Sequence, residues 1–234
     1  MQIAGLQKMT LLDYPEKVAC TVFLPGCNFR CPFCHNGHLL ERPEDCMDAS
    51  SLLEFLKKRR GILDGVCVTG GEPTLQPELP SLLAEIKALG YCVKLDTNGS
   101  HPEVLRSLVE TGLVDYVAMD AKNSPGRYAE TVGVQNLDMN AIEESLRYLI
   151  AGNVDYELRT TLVDPLHNAQ SILEMGQWLA SLVPGKKPKR LFLQSFVDRD
   201  TVLFSGLSAP TPETVAQYAE ILQSYAEKVT IRNN

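Results

Sequence analysis

Six short runs along the chain are apolar at consecutive positions and rich in β-branched residues. They are VACTVFL (18–24), GVCVT (65–69), YCVKLDT (91–97), DYVAMD (115–120), YELRTTL (156–162) and RLFLQSF (190–196). A strand with one solvated face alternates polar and apolar residues; these are apolar on both faces in their middles, as in a buried parallel sheet. Between them lie stretches with helical spacing and clear stops. Residues 48–60 open on an Asp or Ser cap and end at Gly61, 76–89 stop at Gly90, 101–111 at Gly112 and 139–151 at Gly152. Residues 168–182 run into Pro184, and 211–227 form a last helix, followed by the short strand KVTIR. Strand then helix, six times over, predicts an α/β fold with right-handed crossovers. Periodicity leaves open whether the strands close as a partial barrel or lie in an open doubly wound sheet. No repeat, low-complexity tract or linker interrupts the series. A single domain over 1–234 is expected, with its core at about 15–200 and the helix near 211–227 packed on it. The segment NSPGRYAETVGVQNLD (123–138) reads as a surface excursion.

In such folds chemistry collects where strands hand over to loops at their C-terminal ends. The polar oddities stand there. Three cysteines follow the first strand, GGEP (70–73) the second, DTNG (96–99) the third and DAK (120–122) the fourth; Asp164 and His167 follow the fifth, and Gln194 and Ser195 close the sixth. Cys27, Cys31 and Cys34 have C-x3-C-x2-C spacing. Thiolates so placed suit zinc or an iron–sulfur cluster. With His38 added, the stretch could supply four ligands to a structural zinc. Against that stand Pro32 and Phe33 inside the loop, and a large α/β core that has little need of a metal staple. The other solution is a four-iron cluster on three thiolates, with one iron left for a small-molecule ligand. Of the remaining cysteines, Cys20, Cys67 and Cys92 fall inside strands as small core residues, Cys46 is isolated in a loop, and no second C-x2-C group exists.

Composition narrows the rest. The 234 residues carry a formal net charge of −7, with 44% hydrophobic and 22% charged residues. That balance is ordinary for a soluble globular protein and disfavours nucleic acid or an anionic membrane as partner. KKRR (57–60) and KKPKR (186–190) read as solvated ends. The start lacks the charged and apolar regions of a signal peptide, and apolar runs fall well short of the roughly 18 residues of a membrane helix. A cytoplasmic protein with reduced thiols is expected, so clustered cysteines favour metal or catalysis over disulfides.

The cysteine motif, an aromatic residue before its last Cys, and GGEP after the second strand resemble the radical S-adenosylmethionine (SAM) superfamily. GCNFRCPFCHN with DYP upstream is similar to activating enzymes of glycyl-radical enzymes. Within these it most resembles the activating proteins of anaerobic ribonucleoside-triphosphate reductase, with pyruvate formate-lyase activase a relative. The resemblance covers roughly residues 10–200. It implies a partial (β/α)6 TIM-like barrel in which Cys27, Cys31 and Cys34 hold a [4Fe–4S] cluster. The open iron would be chelated by the amino and carboxylate groups of SAM, whose reductive cleavage gives a 5′-deoxyadenosyl radical. Phe33 would pack by the adenine. Gly70, Gly71, Glu72 and Pro73 would meet the methionine end, the glycines allowing close backbone approach and Glu72 accepting from the ammonium. Asp96, Asp120 and Lys122 would line the ligand pocket, with Lys122 or a monovalent cation near Asp96 and Asp120 balancing their charge. Arg159 and His167 would reach the ligand's carboxylate and ribose, although TTLVDPLHN departs from the commoner VPG pattern there. His35 and His38 have no family role and are expected to cap or lie at the surface. The implied partners are a glycyl-radical enzyme, anaerobic ribonucleotide reductase foremost, and a flavodoxin- or ferredoxin-type reductant. The rival readings are a radical SAM enzyme with a small-molecule substrate and, in a different class, a zinc-stabilised binding module.

Overall fold

The computed structural model describes residues 1–40, 43, 45–202 and 204–232. In chain order the elements are β1 (Gln2–Ile3), β2 (Gly5–Thr10), β3 (Ala19–Leu24), β4 (Met47–Asp48), α1 (Ala49–Lys58), β5 (Gly65–Gly70), α2 (Leu79–Ala88), β6 (Cys92–Thr97), α3 (Pro102–Glu110) and β7 (Tyr116–Asp120). There follow α4 (Pro125–Val132), α5 (Met139–Ile150), β8 (Asp155–Leu162), α6 (Ala169–Ser181), β9 (Leu191–Ser195), α7 (Pro212–Gln223) and β10 (Val229–Arg232). Each of the six doubly apolar runs forms a strand, and KVTIR forms β10. Helix ends are shorter than the periodicity suggests: α7 stops at Gln223, and the chain then turns so that the Glu227 amide reaches the Pro188 carbonyl at 2.8 Å.

The chain divides into two compact units. The first holds Met1–Asn28, His38–Thr97 and His101–Ala118; the second holds Phe29–Gly37, Asn98–Ser100 and everything from Met119 on.

In the first unit β3, β5 and β6 are parallel neighbours, with Leu24 level with Gly70 and Val68 level with Leu95. Val22, Leu24, Val66, Val68, Val93 and Leu95 are wholly buried, and Leu52, Leu56, Leu83 and Ile86 of the helices join them in the core. Each such side chain contributes about 1.5–3 kcal/mol relative to exposure. The sequence reading missed β2, which pairs antiparallel with β3. Its residues Gln7, Lys8 and Met9 are exposed, because an edge strand needs few apolar positions. The DYP stretch anchors the strand start: Asp13 accepts from the Thr21 hydroxyl, and the rings of Tyr14 and Tyr116 lie 6.0 Å apart.

In the second unit β8, β9 and β10 are parallel, with Leu162 level with Ser195. Arg232 grips buried Glu157 through both nitrogens, at 2.9 and 2.8 Å, and its guanidinium lies 3.7 Å from the centre of the Phe192 ring. Helix α6 starts on a capping box in which the Asn168 side chain accepts from the Ser171 amide.

Residues 123–132 correct the surface-excursion reading, whereas 133–138 are exposed or half-buried as expected. Asn123, Ser124, Tyr128, Thr131 and Val132 are fully or almost fully buried, and residues 125–132 form α4. Pro125 opens the helix, where a missing N–H costs nothing. Gly133 ends it with φ +67°, and the Val132 carbonyl accepts from the Arg30 amide at 2.8 Å in the cysteine loop. A Cβ on Gly133 would lie 2.4 Å from the Arg30 carbonyl oxygen. Gly61 has a similar φ of +77° but nothing within 4 Å of its added Cβ. The left-handed conformation alone costs a non-Gly residue roughly 1–2 kcal/mol. Gly61→Ala should therefore cost about that much, while Gly133→Ala should cost visibly more and lower the iron bound on reconstitution. Equal melting temperatures for the two variants would show that the Arg30 contact does not constrain α4.

Candidate active site

In the first unit the candidate residues lie at the ends of β3, β5 and β6. Beyond β3 the chain passes Pro25 and Gly26 to Cys27. The Gly26 amide donates to the Leu39 carbonyl at 2.7 Å, and the Gln76 side-chain amide holds the Pro25 carbonyl at 2.7 Å. The GGEP turn docks on this run: the Gly71 amide donates to Leu24 at 2.8 Å and the Glu72 amide to Gly26 at 2.7 Å. A Cβ on Gly70 would lie 2.3 Å from the Leu24 backbone, and one on Gly71 only 1.9 Å from the Gly26 oxygen. The sequence reading gave the glycines the task of admitting a ligand. The close approach they allow is to the protein's own strand exit.

Glu72 is buried at 1% exposure. Its Oε1 accepts from the Thr74 amide at 3.1 Å, the Thr74 hydroxyl at 2.5 Å and the Thr97 hydroxyl at 2.8 Å. Pro73 starts the short 3-10 turn that brings Thr74 back over the carboxylate. On β6, Asp96 pairs with Lys94 at 2.6 Å, and the Lys94 ammonium also lies 3.7 Å from the Cys67 sulfur. Lys94 is 1% exposed. The reading from sequence missed it; the available signal was a lysine two residues before Asp96, hence on the same face of the strand.

The second unit supplies Cys31, Phe33 and Cys34. The Cys34 amide turns back to the Cys31 carbonyl at 3.1 Å. Phe33 is buried, with the Lys122 ammonium 5.7 Å from its ring centre. At the end of β7, Asp120 is held from both sides, by Lys122 at 2.8 Å and by Arg159 Nε at 3.2 Å. Burial works against the Lys122 charge, but Asp120 and the Cys31 thiol outweigh it and raise its pKa above the ordinary lysine value. Tyr128 of α4 donates to the Asp120 carbonyl at 3.1 Å.

His167 is placed otherwise than a ribose-contacting side chain would be. It is 2% exposed; its Nδ1 accepts from the Val163 amide at 3.1 Å, so the neutral ring donates through Nε2 to the Lys122 carbonyl at 2.8 Å. It holds the backbone that carries Lys122. His35 corrects the surface expectation: it stacks on Phe196 at 5.8 Å, its Nε2 is 2.7 Å from the Val197 carbonyl, and burial lowers its pKa. His38 is exposed, as expected.

Cys27, Cys31 and Cys34 form no disulfide, and thiols are soft donors of the kind iron–sulfur chemistry uses. Among the described residues no group of three or more His, Cys, Asp or Glu side chains is placed to hold a metal ion. A monovalent cation fits poorly at Asp96, where the Lys94 ammonium already stands against the carboxylate.

The sequence profile of the Radical SAM superfamily matches residues 21–179. The chain belongs to the radical SAM superfamily. Its chemistry therefore uses a [4Fe–4S] cluster and SAM. A Methanocaldococcus jannaschii protein provisionally named a glycyl-radical enzyme activating enzyme is 30% identical over 240 residues, covering 98% of this chain and 95% of that one. The 7-carboxy-7-deazaguanine synthase of Thermococcus kodakarensis is 26% identical over 184 residues, 70% of this chain and 69% of its own. The crystal structure of a domain of pyruvate-formate lyase-activating enzyme from Bacteroides vulgatus superposes with a TM-score of 0.57 at 24% identity, over 72% of this chain and 99% of that one. This radical SAM protein thus shares the barrel-type α/β fold of the superfamily. No helix among its described residues is long and apolar enough to cross a membrane.

The buried, neutral state of His167 has a pH consequence. Its pKa is lowered in the fold, mainly by desolvation. Above the unfolded pKa of about 6.5 neither state binds the proton; below it the unfolded chain binds more, and stability falls. The wild type should lose denaturation midpoint between pH 7 and pH 5, and His167→Gln should lose less over that range. Parallel pH profiles for the two proteins would rule out protonation of His167 as a cause.

Proposed function

We propose that this radical SAM enzyme activates a glycyl-radical enzyme, abstracting hydrogen from a backbone glycine of its partner, with anaerobic ribonucleoside-triphosphate reductase the foremost candidate. The observation that carries this is the nearly end-to-end similarity to the Methanocaldococcus jannaschii protein so named. Cys27, Cys31 and Cys34 would hold a [4Fe–4S] cluster, which would supply the electron that divides SAM into methionine and a 5′-deoxyadenosyl radical. The chain's own residues do the positioning. Glu72, oriented by Thr74 and Thr97, is suited to accept from the SAM ammonium. Phe33 offers an apolar face to the adenine, and Lys122 a positive charge beside Cys31. Asp120 holds Lys122 and Arg159 in place. Asp96 lines the methionine end, and His167 fixes the Lys122 backbone. A flavodoxin- or ferredoxin-type protein would deliver the electron, in the cytoplasm, and one domain would carry the whole reaction. Similarity to 7-carboxy-7-deazaguanine synthase over 70% of the chain favours a second reading, a small-molecule substrate.

Anaerobic reconstitution, then incubation with SAM, dithionite and candidate glycyl-radical enzymes, separates the two. Activation gives one 5′-deoxyadenosine per partner site and a glycyl-radical doublet in the EPR spectrum. Deoxyadenosine turning over with a metabolite and no protein partner would overturn the first reading. Cys31→Ala should reduce deoxyadenosine formation to background. Glu72→Gln keeps the shape but not the charge, and should weaken SAM binding about 10- to 100-fold, the worth of one charge-assisted hydrogen bond. Undiminished SAM binding by Glu72→Gln would remove Glu72 from the ligand's contacts.

A further inference from the structure

We infer that the Lys94 ammonium is a built-in replacement for a monovalent cation at Asp96, making this enzyme's SAM site independent of potassium or sodium. The strand-end acids were expected to share a counter-charge from Lys122 or a bound ion. Each acid has a cation partner within its own unit. In the first unit Asp96 has Lys94 at 2.6 Å; in the second, Asp120 has Lys122 and Arg159.

Two features mark Lys94 as more than a surface ion pair. It is 1% exposed in the middle of β6, where a charge is retained only against a partner. Its neighbours also suit an N–H donor better than an alkali ion. Besides the carboxylate oxygen, the ammonium lies 3.7 Å from the thiol of Cys67 on β5. A hard cation prefers a shell of oxygens, and a thiol is a poor member of it. A tethered charge is also present at a high effective concentration whatever the salt outside. Asp96 would then keep its orientation at the end of β6, beside Thr97 and Glu72, without an ion having to bind first.

The test is removal of the ammonium and replacement by free ions. Full-length wild type, Lys94→Ala and Lys94→Met are melted in choline, sodium, potassium and ammonium chloride at one ionic strength, without cluster or SAM. Wild type should melt at the same temperature in all four. Lys94→Ala should melt lowest in choline and recover most in ammonium, whose ion donates N–H bonds as the lysine does, and less in potassium. Lys94→Met, which fills the lysine's space, should be lower throughout and recover little. If Lys94→Ala is unfolded in choline, its folding in ammonium chloride is the same result. The double variant Lys94→Ala, Asp96→Asn should respond to no salt. A folded Lys94→Ala insensitive to the salts, a potassium-dependent wild type, or a double variant that still responds would each overturn the inference. The link to SAM rests on the functional reading above and is tested separately, on reconstituted protein. There Lys94→Ala should bind SAM about tenfold or more weakly in choline than in ammonium chloride, the effect of one nearby charge. If the wild type cleaves no SAM the functional reading fails, while the melting series still decides the role of Lys94.

Discussion

Two stretches of backbone in the first unit are packed so closely that only hydrogen fits between them. The exit of β3, from Leu24 to Gly26, and the turn at Gly70 to Glu72 are joined by hydrogen bonds of 2.8 and 2.7 Å. The level pairing of Leu24 with Gly70 is thereby carried beyond the sheet into both loops. Cys27 lies one residue past this junction and Glu72 is its last member, so neither can shift without the other. Reactions that need a cofactor and a ligand in register tolerate little error, since a misplacement of 1 Å can cost about a hundredfold in rate. A rigid backbone junction meets that requirement better than side chains could. It also explains why two adjacent glycines stand where a ligand contact alone would need neither.

Charge is handled one group at a time. Burying an ion is costly unless it is paired and hydrogen-bonded, and a pair broken by losing one partner is worse than none. Here Lys94 serves Asp96, Arg232 serves Glu157, and Asp120 sits between Lys122 and Arg159. Glu72 is set by the hydroxyls of Thr74 and Thr97 at Oε1. Those hydroxyls can orient a carboxylate while leaving it a net anion, which a cationic ligand group requires. Second-layer groups then fix the first: Tyr128 and His167 bind the backbone at Asp120 and Lys122, and neither titrates easily where it is. Tyr128 is pushed above the ordinary tyrosine range, mainly by burial, so its phenol stays a donor.

The parallel strands were legible because runs such as VACTVFL and DYVAMD are apolar on both faces, and only a doubly covered sheet demands that. Their polar ends were legible for the same reason, since Glu72, Asp96 and Asp120 break an apolar register. Helix α4 was not legible. NSPGRY reads as a turn, and the burial of Asn123 and Thr131 depends on a long-range bond to the Leu166 carbonyl that no local pattern encodes. Lys94 was overlooked because attention fell on strand ends, whereas its ion pair is made from within the strand. The role of Gly71 was half legible. Its lack of a side chain pointed to a close approach, but only the coordinates identify Gly26 as what approaches.

What the superfamily fold leaves undetermined is the substrate, and the reason lies in how the site is divided. The residues proposed to handle the cluster and SAM sit on strand ends and on turns beside them, such as GGEP and the Cys31–Cys34 turn. Those parts are constrained by backbone contacts and can vary little. Relatives named for a protein substrate and for a deazaguanine share sequence with this chain over most of its length. Their difference must therefore reside in side chains free of that framework. In the second unit the pairing with β8 ends at Phe196, whose amide is the last to bond to it, and the next carbonyl, that of Val197, is held by His35. Beyond it Asp198, Arg199, Asp200 and an exposed Phe204 line a shallow surface depression before Asp164 and Ser208 pair again. Charged and aromatic side chains at such a surface can be exchanged without disturbing a buried charge pair. Substrate choice can thus change over a constant radical-generating core, which is how one fold comes to serve partners as different as a polypeptide and a small heterocycle.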